Sequence, residues 1–74
     1  MTAQEMFETL GYKQQKTTHL IIYSTKKKEF VFIPMEKEVM CLQNRETLIE
    51  NCSYQIITLK ELEAINKQLE ELEL

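Results

Sequence analysis

Apolar positions change their spacing twice along this chain. Near the start they recur three and four apart, so Ala3, Met6, Phe7 and Leu10 share one face of a helix. Thr2 and Glu5 have the spacing of a capping box, with Thr2 as N-cap and Glu5 reaching back to its backbone N–H. Gly11 stands where a left-handed residue ends a helix, and Tyr12 behind it is placed to pack back on Phe7. A helix this short must dock on something. Residues 13–17 are polar and read as a loop. Thr18 to Ser24 and Glu29 to Ile33 are rich in β-branched and aromatic residues and read as strands, with Lys26, Lys27 and Lys28 as the turn between them. Pro34 stops the second strand or marks a sheet edge. Glu36 to Glu38 make another turn, and Val39 to Leu42 is a third short strand. The spacing predicts an antiparallel meander.

Gln43 to Glu46 is a polar break. Residues 47–57 fit a fourth strand, a helical turn or a covered loop, with extended structure favoured from Ser53 to Ile57. The helical period then returns. Thr58 and Glu61 repeat the capping box, and Ile57 and Leu62 have the spacing of a hydrophobic staple. Leu59, Leu62, Ile65, Leu69 and Leu72 form an apolar stripe, of which Leu62, Ile65 and Leu69 are expected in the core. Glu63 and Lys67 are set as an i, i+4 pair. The expected fold is α+β: one domain over 1–74, with a sheet of three to four strands, a short N-terminal helix and a longer C-terminal one.

The strands are apolar on both faces. Leu20 and Ile22 alternate with Ile21 and Tyr23, and Phe30 and Phe32 with Val31 and Ile33. A small antiparallel sheet covered on one side would normally alternate apolar and polar. Either the helices cover opposite faces, or part of the second face meets a partner.

With 74 residues the core is thin and stability marginal. The net charge of −3 gives no general attraction to nucleic acid or anionic membrane, and it is unevenly spread. Residues 1–45 carry seven Lys/Arg and five Glu, whereas 46–74 carry two Lys and seven Glu. No apolar run reaches membrane-spanning length and no secretory signal precedes the fold, so the expected compartment is the cytosol. There is no aspartate, and Gly11 is the only glycine, which excludes glycine-rich phosphate loops. His19 is the only histidine; with Cys41 and Cys52 it makes neither a metal-ligand spacing nor a catalytic group with an orienting partner. No catalytic, cofactor or metal site is expected, and the chain reads as a non-enzyme.

Two surfaces remain as binding candidates. The first is the acidic row Glu61, Glu63, Glu70, Glu71 and Glu73 on the last helix, able to lie in a basic groove of a protein partner; the competing reading is a solvated helix face. The second is the basic hairpin, with Lys26, Lys27 and Lys28 beside Tyr23, Phe30 and Phe32, a composition that suits a small nucleic-acid-binding or regulatory protein. The leucine stripe also raises a homodimer seam, although it covers fewer than the three or four heptads of a coiled coil.

The stretch Thr2-Ala-Gln-Glu-Met-Phe-Glu-Thr-Leu-Gly-Tyr12 resembles the opening of a group of small phage and prophage proteins of Gram-positive bacteria. The stretch Ile57-Thr-Leu-Lys-Glu-Leu-Glu-Ala-Ile-Asn-Lys-Gln-Leu-Glu-Glu-Leu72 resembles their close. The likeness covers about 27 of 74 residues, and the middle agrees only as a strand pattern. Members of the group often end in Leu-Gly-Trp, where this chain has Leu72-Glu73-Leu74. The resemblance implies a source, a phage-encoded protein acting in the bacterial cytosol. It implies no catalytic motif. The expected function is then a non-enzymatic protein-interaction module, in its sharpest version an inhibitor of a host defence nuclease or of another host enzyme.

Free cysteines in a reducing compartment behave as small hydrophobes. The Cys41→Ser, Cys52→Ser double variant is therefore expected to fold, with at most a modest drop in thermal midpoint. Stoichiometric zinc in the purified protein would contradict that reading.

Overall fold

A computed structural model describes residues 1–43 and 56–73 of the chain. The first helix, α1, spans Ala3–Thr9, and its capping box is complete: Thr2 Oγ1 accepts the Glu5 N–H and Glu5 Oε1 accepts the Thr2 N–H. Gly11, at φ +95°, closes it. The Gly11 N–H reaches the Glu8 carbonyl and the Tyr12 N–H that of Phe7, each at 3.0 Å, which satisfies carbonyls a helix end leaves open. The reversal brings the Tyr12 ring edge-on to Phe7 at 5.5 Å.

Four strands follow: β1 Lys13–Lys16, β2 Ile21–Ser24, β3 Lys28–Ile33 and β4 Glu38–Gln43. They lie in sequence order, each antiparallel to the next. The first two connections are built alike. In each a threonine leads a four-residue turn, the second of which ends on the first residue of β3: the Thr17 N–H donates to the Leu20 carbonyl at 2.9 Å, and the Thr25 N–H to the Lys28 carbonyl at 2.8 Å. The threonine hydroxyls accept N–H groups inside their own turns, from His19 and Leu20 in one and from Lys27 and Lys28 in the other. A single 3₁₀ turn at Pro34–Glu36 makes the third connection, with Lys37 left-handed at φ 55°.

This differs from the sequence expectation at three places. Residues 13–16 form an edge strand, not a loop; Lys-Gln-Gln-Lys has no apolar alternation to betray it, and polar side chains suit an edge that must not recruit other chains. The second strand begins at Ile21, because the Thr17 turn consumes Thr18 to Leu20. Lys28 belongs to β3, opposite Gln43. Of the extended stretch expected over Ser53 to Ile57, only Ile56 and Ile57 lie within the described residues, and neither is in a strand.

The second helix, α2, spans Leu59–Glu71 with Thr58 as N-cap and a complete capping box to Glu61. The pairing register puts Gln14, Ile21, Tyr23, Phe30, Phe32, Val39 and Cys41 on one sheet face. Both helices pack on that face. Phe7 from α1 and Ala64 and Ile65 from α2 join Tyr12, Ile21, Tyr23, Phe30 and Phe32 in the core, and Cys41 packs at its margin. Phe7 is central: it stacks on Tyr23 at 4.0 Å and meets Phe30 and Phe32 at 5.8 and 6.1 Å.

Helix α2 is rotated away from its leucine stripe. Its buried residues are Glu61, Ala64, Ile65 and Gln68. Ile65 is 5% exposed and Leu69 is half-buried against the core, but Leu62 is 44% exposed and Leu59 79%. The expectation that Leu62 enters the core is therefore overturned. Ile65→Ala should cost about 2–5 kcal/mol through the cavity it leaves. Leu62→Ala should cost under about 1 kcal/mol, since much of that side chain already meets water. Thermal melts of the two variants check this order.

Candidate functional site

The most connected polar group is the Glu61 carboxylate, 7% exposed. The capping box places it: Thr58 turns the backbone so that the third helical residue folds back, and its Oε1 accepts the Thr58 N–H at 2.8 Å. The same oxygen pairs with Lys28 Nζ at 2.7 Å. The other oxygen accepts the Tyr12 hydroxyl. Lys28 also donates to the Ile56 carbonyl and lies 5.7 Å from the Phe30 ring centroid, within reach of a cation–π attraction.

Burial alone pushes the Glu61 carboxyl upward. The hydrogen bonds from Lys28, Tyr12 and the Thr58 backbone, with the lysine's charge, outweigh it and hold the group below its ordinary value. Tyr12 moves the other way: burial first, then its bond to Glu61 and that carboxylate's charge, push the phenol far up. Each partner thus stays in the form the bond needs, and neither is poised to exchange a proton near neutrality. Beside them a hollow of about 360 Å³ is lined by Leu10, Tyr12, Thr25, Lys26, Lys27, Lys28 and Glu61. The cluster ties β3 and Tyr12 to the first turn of α2.

The sequence-derived surfaces fare unequally. Glu61 drops out of the acidic row, because its carboxylate is in the core. Glu71 is exposed yet engaged, with Oε2 accepting the Ala3 N–H at 2.7 Å across the two helices. Glu63, Glu70 and Glu73 remain on the surface. Lys67 pairs with Glu70 at 3.6 Å rather than with Glu63. In the basic hairpin, Tyr23, Phe30 and Phe32 are fully buried and cannot stack on bases. The Tyr23 hydroxyl donates to Gln68 Oε1 and accepts from Gln14 Nε2, and Lys28 is held by Glu61. Lys26 and Lys27 stay exposed on the turn. The aromatic half of that surface belongs to the core, because register places all three rings on the helix-covered face.

Two apolar surfaces emerge that the sequence reading did not single out as sites. On α2, Leu59 and Leu62 lie outside the core and share the outer arc with Glu63, Asn66 and Glu70 at helical spacing. On the sheet, the face away from both helices carries Ile22, Val31, Ile33, Met40 and Leu42 by register; Val31 is buried, Ile22 and Ile33 are half-buried, and Met40 and Leu42 are 42% and 49% exposed. The two-sided apolar strands had signalled the second surface. The first was signalled only as a homodimer seam, since the leucine spacing otherwise pointed inward.

Comparison with protein-family models, curated proteins and solved structures returns no match. Among the described residues no group of His, Cys, Asp or Glu is arranged to hold a metal ion, and no helix is long and apolar enough to cross a membrane. Burial raises the Cys41 thiol, which makes it a poorer nucleophile at neutral pH.

Removing one partner of a buried ion pair leaves the other charge uncompensated, so Glu61→Ala should lose about 3–5 kcal/mol. The pH dependence follows from the lowered carboxyl value. The folded state binds its proton less readily than the unfolded chain, whose glutamates titrate near about 4.3. The stabilisation is complete above that value and is lost as pH falls through the lower folded value. Melts of wild type should drop as pH falls below about 4.3, and Glu61→Gln should flatten that part of the curve.

Proposed function

We propose that this chain is a non-enzymatic protein-interaction module that binds its partner through the outer surface of α2. The observation that carries the reading is the rotation of that helix. A domain with a thin core buries Glu61 and Gln68 and leaves Leu59 and Leu62 in solvent. Leaving large aliphatic side chains outside forgoes burial energy that a partner's surface would recover. The mutual engagement of the buried ionisable groups supports a non-catalytic role. In its narrower form the partner is a host protein and the module an inhibitor of a host defence enzyme or nuclease. The terminal segments that resemble phage and prophage proteins, and the surface glutamates of α2, support that form. The basic hairpin supports the nucleic-acid alternative less well, because it retains Lys26 and Lys27 but not the stacking rings.

Affinity purification of the tagged protein from a Gram-positive host tests the reading. A protein should co-purify near one to one with wild type. It should be lost with Leu59→Gln, Leu62→Gln, whose thermal midpoint stays near wild type because both side chains are exposed. Recovery of nucleic acid alone, released by salt, would favour the alternative. Retention by that variant with loss from Met40→Gln, Leu42→Gln would move the contact to the sheet face away from the helices.

A further inference from the structure

We draw no further inference here: the strongest candidate, the apolar patch of Ile22, Ile33, Met40 and Leu42 on the sheet face away from both helices, carries nothing because nothing in the structure shows what covers it.

Discussion

A carboxylate in the interior of a domain this small must be surrounded by donors, and those donors must come from whatever elements lie within reach. Glu61 meets that condition with a lysine from β3, the tyrosine that follows α1, and the backbone of its own N-cap. Desolvating the two charges is costly, and their attraction offsets that cost only when geometry and extra hydrogen bonds are good. The set therefore admits very few arrangements. It fixes where α2 begins, which way that helix is rotated, and how the β2–β3 hairpin ends against it. Hydrophobic burial alone would not choose so narrowly, because leucines at 59 and 62 could serve a differently rotated helix equally well.

The same logic recurs along the helix. One turn beyond Ala64 and Ile65, Gln68 takes the Tyr23 hydroxyl, which in turn receives Gln14 from the edge strand. At the far end Glu71 accepts an N–H from the first turn of α1, where a negative charge also suits the helix dipole. Three polar ties are thus spaced along one face of α2. The aromatic cluster centred on Phe7 supplies the burial, and the ties select one rotation among several that would bury comparable area. What faces outward is the complement of that selection: leucines at one side, carboxylates beside them. The outer surface of α2 is in this sense a by-product of how the interior is wired.

Much of the fold was legible in the residues. Both capping boxes, the Gly11 reversal with Tyr12 on Phe7, the meander and the stop at Pro34 all rest on local chemistry, and local chemistry is written in order along the chain. The edge strand Lys13–Lys16 was not legible, because a strand held by backbone bonds at a polar edge needs no apolar period. Nor was the placement of the aromatic side chains. Tyr23, Phe30 and Phe32 read first as core and second as a stacking surface, and register set all three under the helices.

The rotation of α2 marks the boundary most clearly. From sequence, Thr58 and Glu61 were a cap and Leu62 was core, each sound on its own terms. Only the tertiary structure brings Lys28 and Tyr12 to Glu61 from residues 33 and 49 positions away. Once a capping glutamate is also the acceptor for a buried lysine and a buried phenol, its side of the helix must face inward, and the leucines a fraction of a turn away must face out. Periodicity reports which side chains prefer to leave water. It does not report which polar groups find one another across the fold, and here those groups decided.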